Sequence, residues 1–260
     1  MKRFLALVLI AAIALPLLLA QGRVEEHERI GIVSPMDSEM SLLLSKTEVE
    51  RVDKVGDFEF HVGKLEGKDV VIVKAGMGLV LSASCTTTLL NTYSISSVIC
   101  TGIAGGVSDE TKVTDVVISK DLVLHDYGQL DRDDFREWIV ERGPEDGRIP
   151  ADSTLTKKAL AAAKRVVGDD KVFFGTIATG DQFIASEWYV KRLQQKYNAL
   201  ACEMEGASLA LVCYIYKVPF VVIRTLSDKA DGLAHESVSN FMQIAADNSG
   251  RIVLELLREL

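Results

Sequence analysis

From Ile30 onward the chain repeats one pattern, a short apolar run followed at once by glycine or acidic residues. "RIGIVSPMDSEM" runs from Ile30 to Val33 and then meets Ser34, Pro35 and Asp37. "KDVVIVKAGMG" gives Val70–Val73 before Gly76 and Gly78, and "SSVICTGIAGG" gives Val98–Cys100 before Gly102, Gly105 and Gly106. "KVFFGTIATGDQF" leads to Gly180 and Asp181, and "VPFVVIRTLSDKADG" to Ser227, Asp228 and Asp231. Runs this short, rich in Val and Ile and apolar on both faces, predict strands covered on both sides. Between them, "STLTKKALAAAKRVV" with a Ser/Thr cap, "SEWYVKRLQQKY" and the closing "ESVSNFMQIAADNSGRIVLELLREL" predict helices. "FEFHVGKLEGKD" alternates and turns at Gly67, which predicts a hairpin.

Alternating strands and helices predict an α/β fold: a single three-layer domain over 30–260 with a central mixed, mostly parallel sheet flanked by helices. No linker divides that span. Ligands in such folds sit beyond the carboxyl ends of the strands, where the glycines and acids collect.

The N-terminus departs from this pattern. "MKRFLALVLIAAIALPLLLAQG" opens with Lys2 and Arg3 and continues uncharged from Phe4 to Ala20. That layout predicts a signal peptide over 1–20, with a polar linker over 21–29 and an exported product, periplasmic or extracellular. Retention of the segment as an N-terminal anchor is the alternative and the only route to membrane association. Composition narrows the partners: the net charge is −8, and no Lys/Arg cluster exceeds two residues. A phosphate-tracking surface, and with it nucleic acid, is excluded on those grounds. Cys85, Cys100, Cys202 and Cys213 lie in apolar or small-residue runs without metal-ligand spacing, and read as buried free thiols. His27, His61, His125 and His235 are scattered. Neither a metal nor a cofactor is implied.

Three acids stand out. Glu39 follows the first strand on "SPMDSE" and reads either as a capping-box glutamate behind a Ser cap or as a reactive group. Asp228 ends "FVVIRTLSD" and reads either as a cap or as a reactive group. Glu205, in "CEMEGASLALVC", opens a helix apolar on nearly every face, where a buried carboxylate needs donors. A first-turn position lets the helix dipole favour its charge, and paired ligand hydroxyls such as those of ribose supply the donors. "TGIAGG" permits close backbone approach, but it has neither the dinucleotide glycine spacing nor a phosphate-loop ending.

"GIVSPMDSEM", "KAGMGLV", "TGIAGG", "GDQFI", "CEMEGASLALVC" and "VVIRTLSDKAD" occur in the order found in the 5′-methylthioadenosine/S-adenosylhomocysteine nucleosidases. The chain resembles that family, within the nucleoside phosphorylase/hydrolase superfamily, over essentially all of 30–260. The resemblance implies a nucleoside phosphorylase-like fold and hydrolysis of an N-glycosidic bond, releasing adenine and the thioribose from methylthioadenosine or adenosylhomocysteine, with 5′-deoxyadenosine as a further candidate. By the same resemblance Glu39 is the base that activates water, and Asp228 the general acid that protonates N7. Glu205 grips the ribose hydroxyls, Met204 packs on the sugar, Phe183 stacks on adenine, and the backbone of Ile184 reads the purine edge. Met36 and Met77 are apolar pocket positions, Gly105 lies beneath the ligand, and Glu203 and Ser227 join the substrate-binding set. A homodimer in a methionine-salvage setting is also implied.

Three departures fall on the substrate side. Ile103 replaces a serine, Val238 replaces a frequent phenylalanine, and "YGQLDRDDFREW" follows His125 and Asp126 where an apolar pocket segment is expected. They put substrate range in question more than reaction type. Two other readings stand beside this one: a phosphate-dependent nucleoside phosphorylase, which calls for an Arg-rich anion site, and an exported nucleoside-binding protein without turnover.

Overall fold

The apolar runs form strands in the computed structural model, which describes residues 27–132 and 135–260. The expected leader over 1–20 and the linker up to residue 26 lie outside the described residues. The chain order is β1 (Arg29–Ser34), α1 (Asp37–Lys46), β2 (Glu48–Val55), β3 (Phe58–Leu65), β4 (Lys68–Lys74), α2 (Leu79–Thr92) and β5 (Ile95–Gly106). Then come β6 (Val116–Leu124), β7 (Gly128–Leu130), β8 (Phe135–Glu137), β9 (Ile149–Pro150), α3 (Ser153–Val167) and β10 (Val172–Thr179). The C-terminal part is α4 (Glu187–Tyr197), β11 (Ala199–Glu203), α5 (Gly206–Tyr216), β12 (Phe220–Asp228) and α6 (Ala234–Glu259).

Ten strands build one mixed sheet in the order β11-β10-β6-β12-β5-β1-β4-β3-β2, with β9 beside β6. Pairing is parallel through β12, β5, β1 and β4, and again through β6, β10 and β11. The antiparallel part is the β2–β3–β4 meander, the β12–β6 junction, β9, and a two-residue meeting of β11 with the end of β5. The predicted hairpin is β3–β4, and it turns at Glu66 and Gly67, both with positive φ. β2 was not among the predicted strands. Its valines recur every third residue rather than alternating, and Val49 and Val52 remain exposed, as suits a charged edge strand.

Helices α2 and α5 cover one face of the sheet, burying Cys85, Leu89, Leu209 and Cys213 against Val98, Cys100 and Val222. On the other face α1, α3 and α6 bury Leu43, Ala159, Ala163, Ile252 and Leu256 against Ile32, Ile72, Ile99 and Ile223. β12 is buried along its whole length because both layers close over it. It carries one irregularity: Leu226 pairs with Ala104 and Asp228 with Gly105, so Ser227 is an extra residue in the strand. All four cysteines are buried and unpaired. The cap of α3 is Asp152 rather than the expected Ser/Thr; its side chain accepts from the N–H groups of Thr154 and Leu155. Among the described residues, no helix is long and apolar enough to cross a membrane, and no group of three metal-ligating side chains forms.

Candidate active site

A cavity of about 180 Å³ opens beyond the carboxyl ends of β1, β4, β5, β10, β11 and β12. One buried water needs only ~10–15 Å³, so the space suits an organic ligand. Each of the eleven predicted residues lines it: Glu39, Asp228, Glu205, Met204, Phe183, Ile184, Gly105, Met36, Met77, Glu203 and Ser227. Ile103 and Val238, two of the three departures, line it too, as do Cys202 and also Gln182 and Met242, which the sequence did not single out.

Glu39 is the capping-box glutamate of the sequence reading, and it also lines the cavity. It occupies the third position of α1, where one oxygen accepts the Met36 N–H at 2.8 Å; the cap residue is thus Met36, not serine. Its other oxygen accepts the Ile103 N–H at 2.9 Å, at the end of β5. A helix start and a strand end therefore hold one carboxylate between them. "TGIAGG", which follows the apolar run Val98–Cys100, is the last part of β5 itself. A Cβ on Gly102 would stand 2.2 Å from Nη1 of Arg224 and 2.6 Å from Oε1 of Glu39. The close approach permitted there is that of the protein's own charged groups.

Arg224 organises the floor. It is fully buried in mid-β12, and its guanidinium donates to Glu203 in a short contact and to Glu205 at 3.3 Å. Glu203 is otherwise spent inside the protein: it accepts from the Thr179 hydroxyl and from the N–H groups of Glu205 and Gly206. It thereby satisfies N–H groups at the start of α5, the helix that Glu205 opens. Glu205 turns away from its own helix, and its Oε1 accepts the Gly78 N–H at 3.0 Å. Gly78 has a φ of +97°, a backbone state costly for other residues, and it presents this N–H to the cavity floor.

Asp228, at the end of β12, accepts the Ala230 N–H at 2.7 Å on one oxygen and the Ser227 hydroxyl at 2.8 Å on the other. The expected cap is thus a local turn around the acid.

Burial raises the proton affinity of the three acids read as reactive or sugar-binding. Glu39 is raised by desolvation, with the Arg224 charge opposing. Glu205 is pushed up to about 7 by the same cause against the same opposition. Asp228 is raised by desolvation, opposed by its Ala230 and Ser227 hydrogen bonds. One cavity is thus lined by two buried carboxyls from different elements, Asp228 and Glu39, both with raised proton affinity and with the buried guanidinium opposing that rise at Glu39. Two carboxyls in one cavity can serve general acid–base cleavage.

The phosphorylase superfamily model matches residues 29–258. A 5′-methylthioadenosine/S-adenosylhomocysteine nucleosidase of Psychromonas ingrahamii is 37% identical over 233 residues, covering 89% of this chain and 99% of that protein. The enzyme of the same description from Bacillus subtilis is 36% identical over 236 residues, again covering 89% and 99%. A crystal structure of the Neisseria meningitidis nucleosidase in complex with methylthio-immucillin-A superposes with a TM-score of 0.82 at 32% identity, covering 89% of this chain and 99% of that one. Futalosine hydrolase of Helicobacter pylori superposes at 0.80 with 30% identity, covering 90% and 98%. With fold, cavity and these likenesses in agreement, the chain belongs to the phosphorylase superfamily and, within it, to the 5′-methylthioadenosine/S-adenosylhomocysteine nucleosidase family.

Proposed function

We propose that the protein hydrolyses the N-glycosidic bond of 5′-methylthioadenosine and S-adenosylhomocysteine, releasing adenine. The carrying observation is that Glu39 and Asp228, both nearly inaccessible and carried by different elements, line one cavity together with Glu205, behind which Arg224 is buried. Cleavage of C1′–N9 builds positive charge on the sugar and negative charge on the leaving base. Asp228, its proton retained by burial, donates to the purine at N7. Glu39 takes a proton from water as the water attacks C1′ from the other face, the division of labour seen in inverting glycosidases. Glu205 accepts from the ribose hydroxyls while Gly78 steadies its second oxygen. Met204 packs on the sugar, and Phe183 and Ile184 hold the base.

The cavity disfavours phosphate as nucleophile. Its charged lining residues are acidic, and the nearby buried guanidinium of Arg224 is engaged by Glu203 and Glu205. A non-catalytic nucleoside receptor would need neither a buried acid nor a buried base. Four methionines (Met36, Met77, Met204 and Met242) line the cavity and suit an apolar, polarizable 5′ substituent.

Incubation with methylthioadenosine, adenosylhomocysteine, adenosine, inosine and futalosine, with and without phosphate, tests reaction and range together. Phosphate-independent adenine release is expected from the first two. Asp228→Asn should lower it at least ~10²-fold while leaving the affinity for a non-cleavable analogue nearly unchanged. An Asp228→Asn protein with near-native turnover would remove Asp228 from the role of acid.

Two further parts belong to the proposal. Export rests on the basic-then-apolar layout of 1–20, and N-terminal sequencing of the native protein should begin near Gln21. A homodimer rests on family membership and on apolar side chains left exposed at or beside the cavity, including Met77, Val80 and Phe183. Light scattering should return twice the chain mass.

A further inference from the structure

Asp181 does not line the cavity, yet it joins two of its walls. The loop after β10 carries Gln182, Phe183 and Ile184 into the cavity. The loop is anchored from behind: the Gly180 N–H donates to the Glu203 carbonyl at 3.1 Å, and the Asp181 N–H to Oδ2 of Asp126 at 2.6 Å. The Asp181 carboxylate reaches forward to another element, where Oδ1 accepts the Leu79 N–H at 2.7 Å.

Leu79 is the first residue of α2, a helix with no acid in its first turn and a glycine at its cap position. A helix start leaves N–H groups without intrahelical partners. Here one of them is satisfied by a carboxylate 102 residues away in sequence. The preceding residue, Gly78, is the one whose N–H holds Glu205. A Cβ on Gly78 would stand 2.8 Å from Oδ1 of Asp181, so the carboxylate lies directly against that residue. One turn into α2, the Ser82 hydroxyl donates to the Glu205 carbonyl at 3.1 Å. A continuous path thus runs from Asp126 through Asp181 and the Gly78–Leu79 backbone to Glu205.

We infer that Asp181 is a positioning residue that clasps the base-holding loop to the sugar-holding loop, fixing the span between Phe183 and Glu205 before substrate enters. This rests on the nucleoside reading of the cavity. A pre-set span spares the ligand the ordering of two loops. Loss of the clasp therefore falls on binding, whereas turnover, set by Glu39 and Asp228, is nearly kept.

The test compares the unaltered full chain with Asp181→Ala, Asp181→Asn, Glu205→Ala and the Asp181→Ala/Glu205→Ala double variant. Two quantities are measured: steady-state adenine release from methylthioadenosine, and the dissociation constant of a C-nucleoside analogue that cannot be hydrolysed. Asp181→Ala should raise KM and the analogue constant about 10-fold with kcat within about 3-fold. Asp181→Asn keeps an acceptor oxygen for the Leu79 N–H and should recover affinity to within about 3-fold of the unaltered chain. In the Glu205→Ala background, Asp181→Ala should weaken the analogue by no more than about 2-fold, because the side chain it acts through is gone. An equal effect in both backgrounds, or a fall in thermal midpoint with unchanged KM, overturns the clasp. If the unaltered chain binds the analogue but releases no adenine, the hydrolytic reading fails and the binding cycle still decides the clasp. An unaltered chain that does neither overturns both.

Discussion

Replacing Arg224 with methionine would remove the positive charge that opposes burial at both Glu39 and Glu205 and is held by Glu203. The side chain is fully buried, so no solvent takes its place. Breaking a buried pair by deleting one partner costs about 3–5 kcal/mol. For a chain of this size that lowers the thermal midpoint by roughly 6–20 °C. The cost has a sign in pH. Burial already lifts Glu205 to about 7, and without the guanidinium both Glu205 and Glu39 should rise further. A carboxyl whose proton is held more tightly in the fold favours folding below its unfolded value and loses that contribution as pH rises through its folded value. The gap in midpoint between the unaltered chain and Arg224→Met should therefore narrow toward pH 5 and widen toward pH 8. Activity offers a second readout. Glu39 must be ionised to accept a proton, so the acid limb of kcat/KM should move to higher pH, each unit costing about tenfold below it. Thermal melts and pH–rate profiles on the two proteins measure both. A gap independent of pH together with an unmoved acid limb would mean that Arg224 acts by filling space, and the electrostatic account would fail.

Other outcomes follow from single contacts. Gly102→Ala places a methyl within 2.2 Å of Arg224 and 2.6 Å of Glu39; it should displace the base and lower kcat at least ~10-fold, read by steady-state rates. Glu205→Gln should weaken ribonucleoside binding by about 10-fold, and a 2′-deoxy substrate should partly mask the change. Asp152→Ala, remote from the cavity, removes the cap of α3 and should cost about 1 kcal/mol in denaturant melts without altering adenine release.

Much of this was readable in the sequence because the sheet is buried on both faces. Strands such as Val70–Val73 are unbroken apolar runs, and the punctuation after each one marks where the cavity lies. Glu205 was legible as an acid at the start of an apolar helix. Its neighbour Glu203, equally conspicuous, has another task, since its oxygens accept from Thr179, Arg224 and the start of α5. No spacing rule separates the two. Arg224 carried a usable signal: an arginine inside "FVVIRTLSD" must find carboxylates if that strand is buried, and Glu203 and Glu205 are the ones it meets. Gln182 and Met242 carried none, because a polar loop residue and a methionine on a long amphipathic helix look the same whether or not they face a ligand. β2 stayed unread for a different reason, as its valines fall every third residue without the two-residue period of a strand, and Val49 and Val52 are left exposed.

The extra residue in β12 has a consequence for how the acid is encoded. Along a regular strand, neighbours point to opposite faces. In β12, Phe220 and Val222 meet the helix layer of α2 and α5, while Val221 and Ile223 meet that of α1, α3 and α6. At the bulge this alternation lapses, and Ser227 and Asp228 line the cavity together. A hydroxyl and the carboxyl it steadies can therefore be adjacent letters in the chain. The direction in which Asp228 points is set by residue count more than by residue identity. A one-residue deletion between Phe220 and Asp228 would shift the acid out of register while leaving every catalytic side chain present, whereas substitution of Ser227 would leave the acid in place with one hydrogen bond fewer.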